Sequence, residues 1–406
     1  MVNSMSVVRI KNSIMNGGVV IPPSKSSAHR ALICSFLAGG GNVYPIINSN
    51  DMAATEQALR ALANDDEIVD CIESGSTLRF LIPVASALGK KITFTGSGRL
   101  PERPIGDYLR LLPEHNVKCI STGGLPLEIS GQLTSGDYEL AGDVSSQYIT
   151  GLLLALPLLD GDSRIILTTR LQSKPYVDMT IKVMGDYGVE VEETDYGYFV
   201  QGNQSYTKRD YVVESDWSQA AFFLVGGAVG GDVTLKGLDL NSTQGDKEII
   251  NVLRRFGADI EANDEYIRCR KSKLRGIDVD AQDIPDMVPS IAVAASFAEG
   301  KTVIRRAERL RLKESDRIES VVSNLRKMGI DVEETKDGMI ITGGKPKGAW
   351  LEGYNDHRIV MAFSVAGMYA DGETTITEAH SINKSYPDFF SDYNALGGKA
   401  DVICDM

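Results

Sequence analysis

Six points in this chain gather hydroxyl, carboxylate and cationic side chains just where an apolar run begins. They are Lys25, Ser26 and Arg30; Gly75, Ser76, Thr77 and Arg79; Ser145, Ser146 and Gln147; Asp216 and Ser218; Asp286; and Asp356, His357 and Arg358. A Ser or Asp in such a place is first of all a helix cap. A helix N-terminus with Lys or Arg beside it is also a place for an anion, because free N–H groups and the helix dipole favour negative charge. Two loops extend the pattern. TGSGRLPERPIGDYL carries Arg99, Glu102 and Arg103, and ERLRLKESDRI carries Arg309, Arg311, Lys313, Glu314 and Arg317. SINKSYPDFF adds Lys384 before the last helix. These residue types bind small phosphorylated molecules and move protons with carboxylates and lysines. No P-loop, dinucleotide fingerprint, Ser/His/Asp triad or metal-ligand spacing occurs in the sequence, and no cofactor or metal is expected.

The elements that must hold these groups repeat. HRALICSFLAGG, STLRFLIPVASALG, SSQYITGLLLALPLLDG, WSQAAFFLVGGAVGG, VPSIAVAASFAEG and HRIVMAFSVAGMYADG share a polar start, a small apolar body and a glycine stop, and a β-rich run follows. Helices apolar all round must be buried. Charged amphipathic helices alternate with them, as in DKEIINVLRRFG and DRIESVVSNLRKMG, and turn-linked strands follow. The expected fold is α/β: two similar domains, each an inside-out barrel of three βαβαββ repeats with helices inside and sheets outside. The first strand pair, Val7 to Val20, has no helix of its own and is expected to complete the second half. That gives one domain of residues 1–20 plus 215–406 and another of residues 21–214, joined by a two-strand hinge. The buried helices of both halves, if they share an orientation, would aim their N-termini at one interdomain cleft.

Composition sets the outer bounds. The 406 residues suit two domains. A net charge of -13 argues against a nucleic-acid or membrane-surface role, yet local Lys and Arg clusters can still focus a positive field in a cleft. The five scattered cysteines show no metal spacing and read as reduced thiols. MVNSMSVVRI has no signal-peptide pattern and no apolar run reaches membrane-span length, so a cytoplasmic protein is expected.

PPSKSSAHRAL, TGSGRLPERPIG, GDVSSQYITGLLLALP, SKPYVDMT, RLKESDRI, YNDHRI and KSYPDFF, in this order from about Ile21 to Phe390, resemble the 5-enolpyruvylshikimate-3-phosphate (EPSP) synthase family. The resemblance implies transfer of a carboxyvinyl group from phosphoenolpyruvate to the 5-hydroxyl of shikimate 3-phosphate, with phosphate released. It implies Lys25, Ser26, Arg30, Ser145, Ser146, Gln147, Ser173, Tyr176, Asp286 and Lys313 for shikimate 3-phosphate. It implies Lys25, Gly75, Arg99, Gln147, Arg317, Arg358 and Lys384 for phosphoenolpyruvate. Asp286 would take the hydroxyl proton, and Glu314 would handle the proton at the methylene carbon. Lys25 would assist at the tetrahedral intermediate. The 21–214 half would bind shikimate 3-phosphate, and the other half phosphoenolpyruvate and the catalytic carboxylates. A monomer inhibited by glyphosate is expected, with neither nucleic acid nor membrane as partner. Three residues depart from the family's frequent pattern: Glu73 and His29 each stand where an asparagine is common, as does Arg309. The rival readings are a UDP-N-acetylglucosamine 1-carboxyvinyltransferase and a non-catalytic binding module. The first normally has a cysteine in the loop that here reads TGSGRLPERP; the second would lack Lys25, Asp286, Glu314 and Lys384, all present.

Overall fold

A computed structural model of the chain describes residues 6–404. The chain forms two units. A continuous unit runs from Pro23 to Val213, and a split unit takes in the chain up to Pro22 and from Glu214 onward.

The continuous unit holds α1 (Lys25–Leu37), α2 (Asn50–Ala63), α3 (Gly75–Ala87), α4 (Gly106–Glu114), α5 (Ser146–Ala155) and α6 (Lys174–Asp186). Ser24, Ser74 and Ser145 cap α1, α3 and α5, accepting from the N–H groups of Ser27, Thr77 and Gln147. Helices α3 and α5 are buried on nearly every face and pack on each other. Gly151 permits that contact, since a Cβ there would lie 2.3 Å from the Arg79 carbonyl oxygen. Two four-stranded sheets flank these helices. One orders its strands Ile68–Asp70, Ile92–Thr95, Leu127–Gly131 and Val117–Ile120; the other is built likewise from Asp137–Leu140, Ser163–Leu167, Gly197–Val200 and Glu192–Thr194.

The third repeat of this unit corrects the sequence expectation. Around α1 and α2 there is only a two-stranded parallel pair, Val43–Tyr44 with Tyr211–Val212, and no hairpin. The cause is chain length. Helix α2 ends at Ala63 and the strand of the next repeat begins at Ile68, which leaves no residues for two more strands.

The split unit holds α7 (Trp217–Gly230), α8 (Ile249–Arg255), α9 (Val288–Phe297), α10 (Arg317–Lys327), α11 (His357–Tyr369) and α12 (Phe389–Ala395). Helices α7, α9 and α11 pack pairwise on one another and are buried almost throughout. Phe222, Phe223, Phe363 and Phe389 lie in this core, and each such ring contributes roughly 1.5–3 kcal/mol on burial. Three four-stranded sheets repeat one order: a parallel pair on one side, then two further strands, each antiparallel to its neighbours. The N-terminal strands Ser6–Ile10 and Asn16–Val20 do not pair with each other, contrary to their reading as a strand pair. The first is an inner strand between Thr374–Thr377 and Ala400–Cys404; the second pairs in parallel with Asp232–Lys236. One sheet lacked its last strand and another its first, and the N-terminus supplies both.

Candidate active site

In the split unit the cationic and acidic groups converge on Arg317. This first residue of α10 is 1% exposed, and three carboxylates surround it. Its Nη1 donates to Asp286 Oδ1 at 2.9 Å, its Nη2 to Glu314 Oε2 at 2.7 Å, and its Nε to Asp356 Oδ2 at 2.8 Å. Asp356 is wholly buried, caps α11 through the Arg358 N–H and accepts from Ser315 Oγ. Arg358 donates from Nη2 to Asp286 Oδ2 at 3.1 Å and to Ser218 Oγ at 3.1 Å. Lys313 Nζ is 3.8 Å from Asp286 Oδ1. Asp286 sits in a short 3-10 turn, Pro285–Met287, just ahead of α9.

Burial works against the charge of Asp286. Arg358, Lys313 and Arg317 overcome it and hold the carboxyl below the ordinary carboxylate range, with Glu314 opposing them. Burial pushes the Lys313 ammonium down to about 8; Asp286 and Glu314 resist the fall, and Arg317 and Arg309 add to it. The Lys313 side chain keeps 29% of its surface open, so water tempers that shift. Tyr354 and Asn355 both take left-handed backbone, with φ of 55° and 48°. This turns the Asn355 carbonyl toward Lys384, whose Nζ donates to it at 2.6 Å. Strain of this kind in non-glycine residues clusters at working sites.

The loop that carries Lys313 and Glu314 is tied down on both sides. Arg311 reaches Asp316 at 3.0 Å and Glu334 at 2.8 Å, while the Arg306 and Ala307 N–H groups donate to Asp337. Arg309, one of the three departures, donates from Nη2 to the Gln282 carbonyl at 2.8 Å.

In the continuous unit the expected residues form three small groups. Lys25 Nζ meets Asp51 Oδ2 at 2.6 Å, with both side chains nearly buried. Arg30 spends its donors on the protein: Ser26 O at 2.6 Å, Tyr176 O at 3.0 Å and Thr180 Oγ1 at 2.8 Å, and it also lies over the Phe80 ring. It thereby fastens α1 to α6; the residue just before that helix, Ser173, is buried with φ of 56°. Gln147 bridges Arg79 and Ser76, accepting from Arg79 Nη1 at 3.2 Å and donating to Ser76 Oγ at 3.0 Å. Ser145 caps the helix on which Ser146 and Gln147 sit. His29 is buried against Thr55 Oγ1 at 2.7 Å, and burial, then Lys25 and Arg30, keep the ring neutral at pH 7.

The Arg99 side chain is exposed. Arg103 from the same loop is buried and lies against Gly75 instead: a Cβ on Gly75 would sit 2.6 Å from Arg103 Nη1 and 2.8 Å from Arg79 Nη1. Glu73, another departure, folds its carboxylate toward Gly98, where a Cβ would lie 2.5 Å from Oε2. Asp51 and Thr180 are not among the residues singled out in the sequence, and Arg79, Arg103 and Asp356, though at helix starts or in the arginine loop, are given no substrate role there. Asp51 carried a signal, as an acidic first-turn residue in the helix after the lysine. Among the described residues no cluster of three or more His, Cys, Asp or Glu could hold a metal ion, and no helix is long and apolar enough to cross a membrane.

Buried helices capped by hydroxyls and carboxylates, with arginines folded over those caps, are an anion-handling α/β scaffold. The same fold occurs in EPSP synthase from Acinetobacter baumannii, which superposes with a TM-score of 0.81 at 28% identity and covers 99% of this chain and all of that one. A family model described as EPSP synthase (3-phosphoshikimate 1-carboxyvinyltransferase) matches residues 61–393. Proteins named 3-phosphoshikimate 1-carboxyvinyltransferase from Clostridium novyi (strain NT) and Clostridium kluyveri are 42% and 44% identical. Each alignment covers 98% of this chain and 99% of the relative. The chain belongs to the EPSP synthase family.

Proposed function

We infer that this chain is a transferase that moves the carboxyvinyl group of phosphoenolpyruvate to the 5-hydroxyl of shikimate 3-phosphate, releasing phosphate. This is a step of the shikimate pathway, toward chorismate and the aromatic amino acids. The observation that carries the reading is the Arg317 cluster: two carboxylates for proton transfer, Asp286 and Glu314, held by cations suited to a phosphorylated carboxylate, in a member of this family.

On this proposal each unit is an inside-out barrel and contributes part of the machinery. Lys25, Ser26, Arg30, Ser145, Ser146, Gln147, Ser173, Tyr176, Asp286 and Lys313 serve shikimate 3-phosphate. Lys25, Gly75, Arg99, Gln147, Arg317, Arg358 and Lys384 serve phosphoenolpyruvate. The 5-hydroxyl oxygen bonds to C2 of phosphoenolpyruvate as its proton passes to Asp286, and the methylene carbon gains a proton handled by Glu314. The tetrahedral intermediate, with Lys25 beside it, then loses phosphate. A proton leaves the methyl group, and the double bond is restored in the product. Asp286 is now clamped by Arg317 and Arg358, which makes it a weak base. An anionic substrate that takes over these guanidiniums removes what depresses the carboxyl, so its basicity rises when the reactant arrives. Glyphosate would occupy the phosphoenolpyruvate groups, and the enzyme would work as a cytoplasmic monomer.

Phosphate release tests the reading, with phosphoenolpyruvate as donor and either shikimate 3-phosphate or UDP-N-acetylglucosamine as acceptor. Release with the first acceptor alone is expected. Release with the second alone, or with neither, overturns it.

A further inference from the structure

Arg30 and Arg79 are buried guanidiniums of the continuous unit with no carboxylate partner among the described residues, and of the two only Arg79 leaves a buried N–H unbonded. Arg79 is 3% exposed, and no carboxylate lies within ion-pair distance of it among the described residues. Its partners are all neutral: Pro104 O at 2.9 Å, Gln147 Oε1 at 3.2 Å, Gly75 O at 3.5 Å and the Tyr148 ring at 5.8 Å. Its buried Nε has no hydrogen-bond partner. A lone buried cation is costly, and proteins keep one where an anion will meet its field.

The geometry decides how Arg79 acts. A guanidinium has only donors, so the Gln147 amide must turn its oxygen to Arg79. The amide nitrogen then faces the other way. One of its two hydrogens goes to Ser76 Oγ at 3.0 Å, and the second remains for a ligand. Gln147 is half-buried and stands in the first turn of α5, one residue past Ser146. Arg79 itself is fixed from behind. Tyr108 Oη donates to the Arg79 carbonyl at 2.7 Å, and Gly151 lets α5 lie against that same carbonyl.

We propose that Arg79 is a positioning residue for the anionic donor substrate: it locks the Gln147 amide with its N–H outward and lends an uncompensated positive charge behind it. Without Arg79 the amide is free to flip, and a carbonyl oxygen would then face the carboxylate or phosphate. The proposal rests on the functional reading above, because it takes phosphoenolpyruvate as the ligand that Gln147 meets.

Steady-state kinetics of wild type, Arg79→Met, Arg79→Lys, Gln147→Ala and Arg79→Met/Gln147→Ala test it. Methionine keeps the apolar packing on Tyr148 and removes the donors. Arg79→Met is expected to raise KM for phosphoenolpyruvate ~30-fold, about the loss of one charge-assisted contact, with KM for shikimate 3-phosphate within about 3-fold of wild type. Lysine restores charge but not the fork and should recover only part of the loss. The double variant should be no worse than the poorer single one, since both remove one device. Equal rises in both KM values, or additive losses in the double variant, overturn the proposal. Should Arg79→Met not fold, Gln147→Glu in the wild-type background decides. The proposal expects its carboxylate to be held by Arg79, with the protein folded at full yield and KM raised at least ~10-fold more for phosphoenolpyruvate than for shikimate 3-phosphate, which Gln147 also serves; equal rises for both substrates contradict it. Wild-type enzyme inactive on both substrates would instead refute the functional reading.

Discussion

Replacing Arg317 with methionine separates charge from packing at the centre of the split unit. The wild-type guanidinium contacts Asp286, Glu314 and Asp356, whose side chains are 16%, 20% and 0% exposed. Methionine keeps most of the apolar stem and leaves those carboxylates facing one another. Breaking a buried pair by removing one partner costs about 3–5 kcal/mol. For a unit of roughly 200 residues, each kcal/mol moves the midpoint by about 2–4 °C, so the transition should fall by about 6–20 °C at pH 7. The sign of the pH dependence follows from Asp286. Its folded carboxyl is depressed, so wild type gains stability above the unfolded carboxylate range and loses it as pH falls. The variant keeps Arg358 and Lys313 beside Asp286 and so loses only part of that gain, but its carboxylates, facing one another without the guanidinium, protonate more readily as pH falls. The difference between the two should therefore be full at pH 7 and shrink toward pH 4. Calorimetry of both proteins at the two pH values reads it. A shift below about 2 °C at pH 7, or one unchanged at pH 4, would show that Arg317 does not balance these charges.

Three further outcomes follow from the site. Glu314→Ala should lower kcat by at least 100-fold and change the binding of shikimate 3-phosphate less than about 5-fold, by calorimetric titration; parallel loss of binding would remove Glu314 from proton transfer. Lys313 is a cation below about 8 and loses its charge above, so kcat/KM for shikimate 3-phosphate should fall with an alkaline limb near that pH. Lys313→Arg should move the limb upward, and an unmoved limb would assign it to another group. Glyphosate should inhibit competitively with phosphoenolpyruvate, and absence of inhibition far above the substrate level would contradict the donor-site assignment.

The parts of the molecule written in local grammar were legible in the sequence. Five of the buried helices announce themselves by a cap, Ser24, Ser74, Ser145, Asp216 or Asp356, and α9, which has no side-chain cap, by its apolar body alone. The absent hairpin after α2 was legible as well, in the short span from Ala63 to Ile68, but the strength of the repeat elsewhere hid it. The pairing of Ser6–Ile10 and Asn16–Val20 with strands of two different sheets was not, because strand register across hundreds of residues leaves no local trace. The same holds for ion pairs. Lys25 and Asp51 are 26 residues apart, and Arg317 and Asp356 are 39 apart, so only the fold introduces them. Arg99 and Arg103 look equivalent on paper. Burial beside Gly75 distinguishes Arg103, and that depends on how the prolines of the loop turn the chain.

Phosphorus NMR of one reaction mixture over time follows carboxyvinyl transfer to shikimate 3-phosphate at every phosphorus it involves. The phosphoenolpyruvate signal should decline one for one with the appearance of inorganic phosphate, while shikimate 3-phosphate converts to a species that keeps its own phosphate. Asp286→Ala should slow all three changes together. Phosphate appearing while the shikimate 3-phosphate signal stays unchanged would mean simple hydrolysis and would rule out carboxyvinyl transfer.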